Sequence, residues 1–248
     1  MIEALAGVSW APLWLTLKVA AWATGLALIL GVALAALQVR RAYLGREWVD
    51  ALLTLPMVLP PTVLGYFVLV WLGRQSALGA WLEQALGLRL IFTWQGAVVA
   101  AMLVVLPLIY KSARAAFEGV DAQLLACART LGVSEWALFW RVSLPLARNG
   151  IAAGAALAFA RAMGEFGATL VVAGNIPQRT QTVSMAVYDA LQSGNDALAT
   201  VWVVIMCIVS MALLVLAGWW LRAGVASRSW VAPAAGSGES RRGAGGAP

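Results

Sequence analysis

The chain has 248 residues, 62% of them hydrophobic and only 11% charged, against roughly a quarter charged in a soluble domain; a water-soluble globule is excluded. Seventeen Lys and Arg against eleven Asp and Glu give a net charge of +6, which in a membrane chain reports orientation before it reports nucleic-acid binding. Histidine is absent and cysteine is limited to Cys127 and Cys207, so the commonest metal ligand and proton shuttle is missing and no metal site is expected.

In chain order, residues 2–12 are amphipathic and suit the membrane surface, and no basic n-region or small-residue cleavage site marks a removable signal. Residues 19–39, 51–73, 90–110 and 197–221 are uncharged stretches of 21 to 25 residues. At about 1.5 Å per residue, 21 residues reach about 31 Å, enough for the hydrocarbon core. The second stretch carries Leu55-Pro56-Met57-Val58-Leu59-Pro60-Pro61. Each proline removes a backbone donor and disturbs the preceding turn, so this helix is expected to be kinked or broken. Such backbone is tolerated in lipid only against protein or a water-filled cavity, which leaves two readings, a packing kink and a pathway lining.

Residues 112–147 are too polar to span and too patterned for a linker. Leu124, Leu125, Ala128 and Leu131 fall at helical spacing within 120–131, with Asp121 near the positive end of the dipole and Gly132 as a left-handed stop. Ser134 can cap a second short helix through Arg141 with Glu135 in its first turn, and Pro145 is expected to end it. Residues 149–174 make a fifth span, apolar apart from Arg161 and Glu165, four apart on one face where they can pair. The count is five spans, or six if residues 181–191 re-enter. Residues 176–194 suit an external cap, an interfacial helix or part of a gate. Residues 1–230 form the membrane domain, and the Gly-, Ala- and Ser-rich tail that follows, 231–248, has nothing to pack and is expected to be disordered.

With the N-terminus outside, twelve Lys and Arg fall on the inner side against Arg74, Arg89 and Arg179 outside, with Lys18 snorkelling outward and Arg161 inside a span. The positive-inside rule then gives N-out, C-in. Trp10, Trp14, Trp71 and Trp81 would line the outer interface and Trp48, Trp219 and Trp220 the inner one. Cys127 then falls in a cytoplasmic loop and Cys207 within a span, so no disulfide joins them. The only lysines, Lys18 and Lys111, do not follow Gly, so the phosphate-cradling G-x-x-x-x-G-K-[ST] loop is missing. No nucleophile and base come together either, and the chain reads as a non-enzyme.

The run Ala126-Cys127-Ala128-Arg129-Thr130-Leu131-Gly132, followed after nine residues by Val142-Ser143-Leu144-Pro145, resembles the EAA loop of ABC-importer permeases: Glu-Ala-Ala, three residues, Gly, nine residues, Ile, one residue, Leu-Pro. Leu55 to Pro61, Gly164-Glu165-Phe166-Gly167-Ala168-Thr169 and Gly174-Asn175-Ile176-Pro177 look like the molybdate, tungstate and sulfate permease group, and the resemblance covers about residues 12–225. It implies an all-α permease of the bacterial inner membrane, a homodimer with two ATPase subunits that hold ATP and Mg, and an external oxyanion-binding protein. Ala126, Cys127, Ala128, Arg129, Leu131, Gly132, Glu135 and Pro145 would form the part that docks on the ATPase. Here Ala126 stands in place of the family's Glu and Cys127 in place of its middle Ala, so the family's carboxylate is missing from this position, while the shape of the loop and the Gly132 turn remain and coupling is expected to persist.

The block Thr180-Gln181-Thr182 with Ala186-Val187-Tyr188-Asp189-Ala190 looks more like the molybdate subfamily. A tetrahedral dianion that must be released needs weak contacts, so the small and polar residues Thr62, Gly65, Gly164, Gly167, Thr169 and Asn175 are pathway candidates. Their other reading is close helix packing. Arg161 with Glu165 reads as a structural ion pair before an anion site.

Overall fold

The computed structural model describes residues 9–40 and 44–226, with side chains as far as Trp219. Among these the secondary structure is helical throughout, without a strand: α1 (Ala11–Arg40), α2 (Arg46–Val58), α3 (Pro61–Leu72), α4 (Ala77–Leu86), α5 (Trp94–Glu118), α6 (Ala122–Thr130), α7 (Glu135–Leu138), a π turn (Phe139–Ser143), α8 (Leu144–Met163), α9 (Gly167–Ala173), α10 (Val183–Gln192) and α11 (Asp196–Ala226). Residues 2–8 of the N-terminal amphipathic stretch, the 231–248 tail and the side chain of Trp220 lie outside the described residues.

The centre of the bundle is α5, which lies against α1, α8 and α9. Small residues make this possible. Along α1, Ala20, Ala23, Ala27 and Ala35 are fully buried, and Gly31 sits so close that a Cβ there would fall 2.9 Å from Ile109 Cγ2 and 3.2 Å from the Tyr110 nitrogen. In lipid, where apolar surface gains nothing by leaving hydrocarbon, such close approach is what holds helices together. Arg40, Arg46, Arg114 and Arg129 gather at one end of the bundle, the basic end, through hydrogen bonds and ion pairs to Glu135, Glu118 and Asp50. Arg74 and Arg89 share Glu83 at the opposite end.

Among the described residues four helical rods are long and apolar enough to cross a membrane, Ala11–Arg40, Trp94–Glu118, Glu135–Met163 and Asp196–Trp219, and the bent pair of α2 and α3, counted as one broken span, brings the number to five. The first is longer than residues 19–39. Lys18 is accommodated inside it because its ammonium lies 3.6 Å from the centroid of the Trp94 ring, a cation–π contact in place of water.

Between α2 and α3 the chain turns by 111°. A residue before proline is driven out of the helical region, and here two stand in succession: Leu59 precedes Pro60, which precedes Pro61. Both are extended, with ψ of 141° and 137°. Pro56, by contrast, is accommodated inside α2.

Three expectations need correction. Pro145 does not end a short helix. Residues 139–143 wind as a π turn with the Leu144 N–H bonded to the Phe139 carbonyl, and Pro145 falls in the first turn of α8, where a missing N–H costs little. Glu135–Met163 is therefore one rod of 29 residues. The span at 149–174 is in turn not continuous: it stops at Met163 and resumes as α9. Gly164 favours helix weakly, and the Glu165 carboxylate accepts the Ala168 N–H at 3.1 Å, starting a new helix. Finally, the segment at 181–191 is no sixth span. α10 has ten residues, about 15 Å, and is tied to α1 where the Val183 N–H donates to Thr16 Oγ1 at 2.9 Å.

Candidate functional site

At the basic end, α6 and α7 form a tightly capped hairpin. Asp121 Oδ1 accepts the Gln123 N–H at 2.8 Å. The C-terminus of α6 closes in a Schellman motif, with Gly132 N–H on Arg129 O and Val133 N–H on Ala128 O. Gly132 has φ +77°, a conformation that needs glycine. Ser134 Oγ accepts the Ala137 N–H, and Arg129 pairs with Glu135 at 2.7 Å. Arg40 reaches across from α1, donating to the Glu135 carbonyl at 3.2 Å and stacking 4.5 Å from the Phe139 ring.

The hairpin is thus fastened to the end of α1, around a cleft of about 130 Å³ lined by Arg40, Leu125, Arg129, Glu135 and Phe139 among others. Its other face is bare: Leu124, Ala126, Cys127, Leu131 and Trp136 are exposed, while Ala128 is half-buried. Of the residues singled out from the sequence, Ala126, Cys127, Leu131 and Gly132 therefore form a free surface. Arg129 and Glu135 fix the hairpin's shape, and Pro145 lies further up, within the rod.

The second locality is where the two helix breaks meet. A Cβ on Gly167 would fall 3.1 Å from Pro61 Cβ and 3.6 Å from the Thr62 nitrogen, and one on Gly65 2.8 Å from Val171 Cβ and 3.1 Å from Ala168 Cα. The glycines let α3 and α9 touch backbone to backbone. Leu59, Leu64, Ala168, Ala100 and Val104 pack together, as do Ala162 and Met163 with Val105, so both breaks stand near the middle of α5. That helix is about 37 Å long, and the breaks are therefore near mid-depth.

Thr62, Gly65 and Gly167 come together here, with Thr62 exposed and Gly65 buried, and the exposed Gly164 precedes Gly167 by three residues in the chain. Two other candidates do not join them. Thr169 is only 1% exposed, inside the core, and Asn175 lies beyond α9, where its Nδ2 reaches Asp189 Oδ1 at 3.4 Å.

Arg161 and Glu165 are paired at 2.9 Å, but asymmetrically: the arginine side chain is 44% exposed and the glutamate 2%. Glu165 gives one oxygen to the Ala168 N–H. The other, Oε2, faces the guanidinium at ion-pair distance without hydrogen-bond alignment.

One cluster escaped the sequence. Asp50 on α2 accepts from Tyr110 OH at 2.7 Å and Arg114 at 2.6 Å, while Glu118 accepts from Arg114 at 2.9 Å and Arg46 at 3.0 Å. Its two halves lie 60 to 72 residues apart in sequence, and only the four-residue spacings within each half, Arg46 with Asp50 and Arg114 with Glu118, could have signalled it.

The chain is 42% identical over 206 residues to the molybdenum transport system permease protein ModB of Escherichia coli (strain K12), covering 82% of this chain and 88% of that one. It is 37% identical over 207 residues to ModB of Haemophilus influenzae, covering 84% and 90%. Among solved structures, a chain of the MetNI methionine ABC transporter in an inward-facing conformation superposes with a TM-score of 0.68 at 17% identity, covering 86% of this chain and 94% of that one. This likeness shows the shared fold. Residues 27–230 match the model of a transport family, and the chain belongs to that family, the binding-protein-dependent transport system inner membrane components.

Proposed function

We propose that this chain is the membrane permease of an ATP-driven importer of a tetrahedral oxyanion, molybdate before tungstate or sulfate. Its basic end faces the cytoplasm, as the positive-inside rule requires, which puts the N-terminus outside. Residues 1–230 form the permease domain. Two copies enclose the pathway, two ATPase subunits sit beneath them, and an oxyanion-binding protein delivers from outside. ATP and Mg belong to the ATPases, since this chain carries no phosphate-binding glycine loop. The single observation that carries the reading is the identity to molybdenum permeases over more than four fifths of the chain.

The bare face of the α6 hairpin, with Ala126, Cys127 and Leu131 exposed, is the docking surface for the ATPase. It is a shape-based contact, small side chains offering no steric obstacle. When the ATPases close on ATP, the push enters through this hairpin. It passes into the rod Glu135–Met163 without a joint, because Pro145 does not interrupt that rod.

Uptake into proteoliposomes containing this chain, its ATPase and its binding protein tests the proposal, with molybdate, tungstate and sulfate offered with and without ATP. ATP-dependent uptake with molybdate preferred is the expected result. Uptake by the chain alone, indifferent to ATP, would instead make it a gradient-driven transporter. Gly132→Arg should leave the chain inserted but prevent ATPase binding in a pull-down, and full binding would remove the hairpin from the coupling role.

A further inference from the structure

Arg161 stands near mid-depth, one residue before Ala162 in the layer that packs on Val105. It is 44% exposed and makes no hydrogen bond among the described residues: its contact with Glu165 Oε2 is an ion pair out of hydrogen-bond alignment. A guanidinium has five N–H donors, and a charged group at this depth that faces lipid is expensive. Leu157, four residues before it, and Gly164, three after it, are exposed as well, and three residues beyond Gly164 the chain meets the break, where a Cβ on Gly167 would fall 3.1 Å from Pro61 Cβ and 3.6 Å from the Thr62 nitrogen. Glu165 is buried and committed to the Ala168 N–H, so it cannot swing out to follow its partner.

From this geometry we infer that Arg161 is an anion contact within the pathway: its free N–H groups receive the translocating tetrahedral oxyanion, and Glu165 weakens that hold by neutralising much of the same charge. The inference rests on the oxyanion reading above. A lone arginine would trap a dianion, whereas a half-neutralised one offers donors without a deep well, which is what release on the other side requires. Glu165 is thus a tuning residue, and Arg161 the group that touches the cargo.

The test uses the full complex in proteoliposomes and counts molybdate delivered per ATP hydrolysed. Arg161→Gln should assemble, hydrolyse ATP and deliver roughly tenfold fewer anions per ATP, the loss expected of a charge-assisted hydrogen bond, with partial rescue by Arg161→Lys. Glu165→Gln, which keeps an acceptor for the Ala168 N–H, should also assemble but transport slowly and retain more bound molybdate after washing. If Arg161→Gln delivers normally, the inference is overturned. It is equally overturned if Arg161→Gln fails to assemble while Arg161→Gln/Glu165→Gln assembles and transports as wild type, for then the pair only balances charge. A wild-type complex that moves no oxyanion would overturn the substrate reading itself, and the inference with it.

Discussion

At Gly65 and Gly132 the absence of a side chain matters for different reasons. A methyl at Gly65 would meet Val171 Cβ at 2.8 Å, the Ala168 carbonyl at 3.0 Å and Ala168 Cα at 3.1 Å, and two of these are backbone that cannot rotate away. Gly65→Ala should therefore cost about 1–3 kcal/mol, the range for overpacked cores, seen as a lowered melting temperature in detergent; unchanged melting would mean that α3 and α9 separate freely. At Gly132 nothing lies within 4 Å of a Cβ, but φ is +77°. Gly132→Ala should cost about 1–2 kcal/mol by torsion alone, confined to the hairpin, with faster hydrogen exchange in α6 and an unchanged melt of the spans. Gly132 stood out in the sequence as a left-handed helix stop, and Gly65 as a small residue suited to a pathway. Thr169 stood out on the same grounds, yet it is buried: in a helix of seven residues the sequence has too few turns to tell which face a threonine takes.

The least secured of the larger elements is α2, which buries no residue fully and exposes Leu52, Leu55, Met57 and Val58. What ties it to α5 is chiefly the network of Asp50, Tyr110, Arg114, Glu118 and Arg46. Arg114→Met should speed amide exchange in α2 roughly tenfold, the low end for lost charged hydrogen bonds because the pair is part-exposed; α5 should stay protected, and unaltered exchange in α2 would show that the network is dispensable. At the opposite end, α4 is bound by Glu83, whose carboxyl is held below its usual range first by the hydrogen bond from Arg74 and then by the charges of Arg74 and Arg89. A depressed folded value means that this fastening is complete above the unfolded pKa, near 4.5, and is lost as pH falls through the lower folded value. Proteolysis of the 73–93 segment should accordingly rise in acid and lose that dependence in Glu83→Gln. The elements themselves were legible where one local rule decided them: the proline run gave the α2–α3 break, and Gly132 and Ser134 gave the hairpin. Sequence reading failed where two local rules competed, as at Pro145, where a π turn absorbs the proline, and at Gly164, where a side-chain carboxylate starts a new helix inside an apolar run.

For the molecule as a whole, the bundle has two exposed sides of opposite character. Along α11, Val203, Ile208, Met211 and Val215 are exposed with Cys207 among them, a surface that suits acyl chains. Around the breaks, Pro60, Pro61, Thr62, Arg161 and Gly164 are exposed, and a charged group with non-helical backbone at mid-depth cannot face lipid. This second side must therefore be covered by protein or water, and a second copy of the chain placed there would enclose a wet pathway. The two cysteines make the difference measurable, because maleimides react with the thiolate, which forms only where water reaches. With Cys127 replaced by Ser, a charged maleimide should leave Cys207 unmodified in the intact complex while modifying Thr62→Cys several-fold faster, and molybdate should slow the latter. Equal resistance at both positions would place the breaks against dry protein, so that the α3–α9 junction would be a packing device and the pathway would run elsewhere.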